Sequence, residues 1–114
     1  MFKVAIIGGY ETGDYARFRA KCIHMLREKG KTEGLMLYSI GDEFLDRFAE
    51  EFSLTIATVY TEFGKYGKMA LKVRNERLLS ECEALLYFDC GIKDYNMLYT
   101  MASEKGLNVR KVTI

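Results

Sequence analysis

The feature that most constrains this chain is an alternation of two hydrophobic periods. Short β-branched, apolar runs are separated by longer runs whose apolar residues recur every three or four positions. The short runs have the pattern of strands and the long runs that of amphipathic helices. Lys3 to Ile7 is almost continuously apolar, as in a strand buried on both faces, and it stops at Gly8-Gly9. Asp14 can cap a helix carrying Tyr15, Phe18, Cys22, Met25 and Leu26, with Gly30 as its stop. Leu35 to Ser39 reads as the second strand. Gly41-Asp42 then turns the chain into a helix striped by Phe44, Leu45, Phe48, Ala49 and Phe52. Leu54 to Tyr60 is the third strand, Gly64 to Gly67 a loop, and Lys68 to Glu81 a helix. Ala84 to Phe88, a helix over Asp94 to Lys105 closed by Gly106, and a strand over Leu107 to Thr113 complete the series. Strands and helices alternating at this spacing imply right-handed crossovers. The expected fold is α/β, a Rossmann-like three-layer sandwich with a five-stranded parallel sheet in the order 3-2-1-4-5.

The 114 residues suffice for one domain, 1–114. With 49% apolar and 29% charged residues, a packed core is expected and disorder is not. The net charge of +1 supplies no field to draw the chain onto nucleic acid or an acidic membrane. Cys22, Cys82 and Cys90 are odd in number and lack paired spacing. A disulfide framework and a zinc site are therefore not expected, and a reducing cytoplasm fits. No run approaches 18 apolar residues, so no membrane span is expected.

In the expected strand order the chain reverses direction between the first and fourth strands. Ligands of open α/β sheets sit at that switch point, beyond the strand C-termini. The residues there are Gly8-Gly9-Tyr10 and Asp89-Cys90-Gly91, with Ser39 to Glu43 ending the second strand. Standard nucleotide motifs are absent. Gly8-Gly9-Tyr10-Glu11-Thr12-Gly13 has tyrosine where a dinucleotide fingerprint needs its second glycine, and Gly64 to Lys68 lacks P-loop spacing. The single histidine, His24, reads as a surface residue, which argues against Ser-His-Asp and Cys-His catalysis. Cys90 reads as a structural thiol. Tyr10 and Tyr66 fall in glycine-flanked segments, where they can stack on a base or anchor a loop.

The order of these segments resembles the SLOG superfamily, in its small YspA-like (cpYpsA-related) branch. Lys65-Tyr66-Gly67-Lys68 followed by Arg74-Asn75 resembles that branch's KYGKAAGPIRN segment. Val4 to Gly9, Asp14-Tyr15, and Ser39, Gly41, Asp46, Arg47 and Ala49 also align, the last group on SGGARGADRLA. The resemblance implies a Rossmann-like domain that binds nucleotides or their derivatives. Some members are phosphoribohydrolases, and others are regarded as sensors or DNA-binding proteins. The departures fall in the glycine-rich loops. Ile40 and Phe44 replace glycines, Glu43 replaces the loop arginine, and Asp42 adds a carboxylate. Like charges about 4 Å apart cost roughly 4 kcal/mol near a protein surface, so this loop disfavours a phosphate.

The leading expectation is a non-catalytic domain binding a nucleoside- or nucleotide-derived ligand through Gly8, Gly9, Tyr10, Ser39, Gly41, Asp42, Glu43, Tyr66, Arg74, Asn75, Asp89 and Gly91. No metal or cofactor is expected. One alternative is a nucleotide or nucleoside N-glycosidase, in which Glu43 or Asp42 would stabilise an oxocarbenium-like transition state. Another is a protein-interaction module whose ligand site has been lost. A homodimer through the helices is compatible with the sequence but unmarked in it. Nucleic-acid binding through Lys65, Lys68, Lys72 and Arg77 is the least favoured reading, because acidic residues offset these charges.

Overall fold

The computed structural model describes residues 1–113. Strands β1 (Phe2–Ile7), β2 (Leu35–Ser39), β3 (Thr55–Thr58), β4 (Ala84–Phe88) and β5 (Asn108–Val112) form one parallel sheet, ordered β3-β2-β1-β4-β5. The expected order is the observed one. Helices α1 (Tyr15–Thr32) and α2 (Glu43–Glu51) cover one face. The one-turn α3 (Phe63–Tyr66) leads into α4 (Ala70–Glu81), which covers the other face with α5 (Lys93–Glu104).

The continuously apolar β1 feeds both layers. Val4 and Ile6 pack with Phe18, Leu45 and Phe88 on the α1–α2 side. Ala5 and Ile7 pack with Leu78, Tyr87 and Leu98 on the α4–α5 side. Each large apolar side chain buried this way contributes about 1.5–3 kcal/mol, so β1 is the anchor of the fold. The edge strand β5 carries exposed Arg110 and Lys111, which discourage pairing with another chain. No helix among the described residues is long and apolar enough to cross a membrane.

Two local expectations are corrected. Gly30 does not stop α1, which continues to Thr32. The site where Gly30 would carry a Cβ faces Leu35 at an ordinary 3.6 Å, and glycine is tolerated inside a helix. The stop is Gly34, whose φ of +74° suits the left-handed position that follows a helix end. Its carbonyl accepts from Phe2 N at 2.9 Å, tying the start of β2 to β1. The segment Gly64 to Gly67 is not a plain loop. Phe63–Tyr66 close a helical turn on the Glu62 carbonyl, followed by a 3-10 turn over Gly67–Met69. One turn is too short to display a hydrophobic period.

Helices α1 and α2 are joined by Glu51, which accepts from Tyr15 Oη at 2.7 Å and Arg19 Nε at 2.6 Å. The Tyr15 hydrogen bond, then that of Arg19, holds the Glu51 carboxyl below its ordinary 4.5. A carboxyl depressed in the folded state stabilises above its unfolded pKa, and the gain is lost as pH falls through the folded value. Glu51→Gln is therefore expected to lower the urea midpoint at pH 7, with the gap from wild type closing below about pH 4.5. A gap that does not change with pH rules out an ionised Glu51 as the link.

Candidate functional site

The exit of β1 is built around two glycines. A Cβ on Gly8 would lie 2.2 Å from the Phe88 carbonyl oxygen of β4, and one on Gly9 would lie 2.3 Å from the Phe18 ring. Only a chain without side chains passes between the β4 backbone and that ring. Tyr10–Thr12 then form a 3-10 turn, with Thr12 Oγ1 donating to the Gly9 carbonyl at 2.7 Å. Tyr10 is 49% exposed and rests on Phe44, the ring centroids 5.2 Å apart. Asp14 caps α1 by accepting from Arg17 N at 3.1 Å.

At the exit of β2, buried Ser39 accepts from Gly41 N through its hydroxyl at 2.9 Å. Asp42 is only 6% exposed. Its Oδ1 accepts from Phe44 N at 2.9 Å and Leu45 N at 3.2 Å, capping α2. Its Oδ2 accepts from Gly9 N at 3.0 Å and Tyr10 N at 3.3 Å, clamping the β1 exit. Burial pushes the Asp42 carboxyl up from its ordinary value, opposed by the N–H donors of Leu45, Tyr10 and Phe44. Glu43, by contrast, is exposed in the first turn of α2.

At the exit of β4, Asp89 accepts from Gly91 N at 3.2 Å and from the Tyr87 hydroxyl at 3.1 Å, and Lys111 Nζ lies 3.7 Å away. The Gly91 N–H, then the Tyr87 hydroxyl, hold its carboxyl below the ordinary range. Cys90 is half-buried, and burial pushes its thiol up, away from a reactive thiolate. Between the β1–α1 connection and the C-terminal ends of β4 and β5 opens a cleft of about 420 Å³, lined in part by Glu11, Thr12, Arg17, Asp89 and Cys90. Tyr95, in the first turn of α5, donates to Glu11 at 2.8 Å and joins the β1 exit to the α5 side.

Arg74 and Asn75 lie in α4, 6% and 2% exposed. The Arg74 guanidinium donates to Asn75 Oδ1 at 3.1 and 2.9 Å and to Thr61 Oγ1 at 3.1 Å. All three acceptor contacts are neutral. Among the described residues, no carboxylate oxygen lies within 4.0 Å of it. Burial lowers the pKa of Arg74, while Tyr95 and Asp94 act on it from farther away in the opposite sense.

The structure thus gathers Gly8, Gly9, Tyr10, Ser39, Gly41, Asp42, Glu43, Asp89 and Gly91 at the C-terminal end of β1, β2 and β4. Arg74 and Asn75 lie instead on the α4–α5 face, where Arg74 meets Thr61 beyond β3 and Asn75 donates to Met101 Sδ of α5 at 3.7 Å, and among the described residues no hydrogen bond ties either to the exits of β1, β2 or β4. Tyr66 does not join the crevice either. Its hydroxyl accepts from Arg77 at 2.6 Å, and Arg77 also pairs with Glu62, beyond the edge strand β3. Glu11, Thr12, Arg17, Thr61 and Tyr95 escaped the sequence reading. Most lie within one turn of a strand exit, so extending the switch-point rule by one helical turn would have found Glu11, Thr12 and Tyr95. Among the described residues, no group of three His, Cys, Asp or Glu side chains is arranged to hold a metal ion.

No family model, curated protein or solved structure matches this chain.

Proposed function

We propose that this chain is a cytoplasmic, SLOG-type binding domain that holds a nucleoside- or nucleotide-derived ligand at the C-terminal crevice of its sheet, without catalysis. The observation that carries this reading is Arg74 in the second turn of α4, a residue only 6% exposed whose guanidinium donates only to neutral acceptors. A buried guanidinium with no carboxylate in direct contact is costly to desolvate, and an anionic group on a ligand would offset that cost. The crevice rim suits the remainder of such a ligand. Tyr10 offers a half-exposed ring for a base, and Glu11, Glu43 and Asp89 offer acceptors for ribose hydroxyls. Binding without turnover is supported by the state of the groups present. Asp42 is spent on four backbone donors, and burial pushes the Cys90 thiol up, away from a reactive thiolate.

Isothermal titration against nucleosides, nucleoside monophosphates and cyclic nucleotides tests this. Charge-assisted hydrogen bonds to Arg74 are expected to favour a phosphate-bearing ligand by about ten-fold or more over its nucleoside. Arg74→Gln is expected to abolish that preference. Absence of binding to all three classes by folded protein sinks the reading. The exposed carboxylate of Glu43 favours a second reading, an N-glycosidase. Release of free base from a nucleotide, lost in Glu43→Gln, would select it.

A further inference from the structure

The Asp42 carboxylate sits where two elements converge their backbone donors. Gly9 N and Tyr10 N come from the β1 exit, and Phe44 N and Leu45 N from the first turn of α2. All four lie 2.9 to 3.3 Å from its two oxygens. Convergent N–H groups at a helix start form the surroundings in which proteins commonly seat phosphate oxygens. Here two of the donors come from 32 and 33 residues earlier in the chain, so the seat is a tertiary feature rather than a helix end alone. Glu43 and Asp46 add two more negative charges in the first turn of α2.

We infer that Asp42 is a specificity-determining residue, the chain's own anion in an oxyanion seat, and that it excludes ligand phosphate from the β1–β2 end of the crevice. The carboxylate supplies the charge and the acceptors that a phosphate would bring, and it leaves neither space nor unpaired donors for one. A ligand's anionic group must then be met elsewhere. The inference concerns only what this seat excludes, so it holds or fails separately from the identity of the crevice's ligand.

The test uses inorganic phosphate as the probe, with chloride at matched ionic strength as the reference. Asp42→Gly removes the internal anion while keeping a residue acceptable at a helix N-cap. In this variant, the amide resonances of Gly9, Tyr10, Phe44 and Leu45 are expected to shift saturably with phosphate. At phosphate ten times its dissociation constant, the thermal midpoint should rise by about 5 °C over chloride. In wild type, and in Asp42→Asn, where a neutral group of the same size fills the seat, phosphate should leave those four amides unmoved. Saturable phosphate shifts on these amides in wild type overturn the inference, as does a folded glycine variant that ignores phosphate. Should the glycine variant not fold in chloride, recovery of its fold in phosphate supports the inference, and failure in both salts overturns it.

Discussion

Gly8→Ala is expected to destabilise the protein by about 3 kcal/mol or more, lowering the thermal midpoint by roughly 10 °C or more. Two costs add. Gly8 has a φ of +82°, a conformation that charges an L side chain about 1–2 kcal/mol. The new Cβ would also lie 2.2 Å from the Phe88 carbonyl oxygen. That oxygen belongs to the backbone of β4, which pairs with β1 through Ile7 and Tyr87, and Phe88 itself is 1% exposed. Relief therefore requires moving a central strand, and overpacking of this kind costs about 1–3 kcal/mol. Gly64→Ala is the matched control. Gly64 has no positive φ, and nothing lies within 4 Å of its missing Cβ. It should lose no stability. Urea denaturation of the two variants checks the contrast, and a Gly8→Ala protein within 1 kcal/mol of wild type would show that the β1 exit is not sterically closed.

Phe18→Ala is the second large effect, an expected loss of about 3–5 kcal/mol. The Phe18 ring is fully buried in α1, against Phe88 at a centroid distance of 4.9 Å, Phe44 at 6.0 Å and Phe48 at 6.3 Å. Its loss leaves a void that rigid strands and helices cannot refill. The same ring is the floor beneath Gly9. Gly9→Ala should accordingly be costly in wild type and less costly once Phe18 is alanine. A double-mutant cycle reads that coupling directly. Additive effects would mean that the Gly9 constraint comes from elsewhere, for which the Asp42 carboxylate, 2.9 Å from the same Cβ position, is the remaining neighbour. The β1 exit is thus held from three directions, by the β4 backbone, the Phe18 ring and the Asp42 carboxylate.

Much of this architecture was legible in the residues. The spacing of Phe18, Cys22 and Leu26 marked the buried face of α1, and all three are buried in the core. The runs Leu35 to Ser39 and Ala84 to Phe88 coincide with β2 and β4 residue for residue. Asp14 and Gly106 stand at the helix start and end that their chemistry suggested. The errors are equally local. Gly30 and Gly34 are both glycines near a helix end, and only the backbone angle that the chain needs there distinguishes them.

The candidate site was legible only as a place. Gly8-Gly9, Ser39 to Glu43 and Asp89 to Gly91 could be put at one end of the sheet because strand order places them there. What each side chain does there was not legible. Two adjacent carboxylates, Asp42 and Glu43, looked alike in sequence, yet one turns inward onto Gly9 and Tyr10 and the other faces solvent. Tyr66 was grouped with the crevice by its glycines, but it belongs to Arg77. Arg74 finds Asn75 and Thr61 rather than a carboxylate. By itself, then, the sequence determined the layers, the strand order and the location of the crevice, because hydrophobic period and crossover handedness are properties of short segments. The tertiary structure alone decided that Asp42 fills an anion seat and that Arg74 has no carboxylate in direct contact, because a side chain's partners lie wherever the fold brings distant residues together.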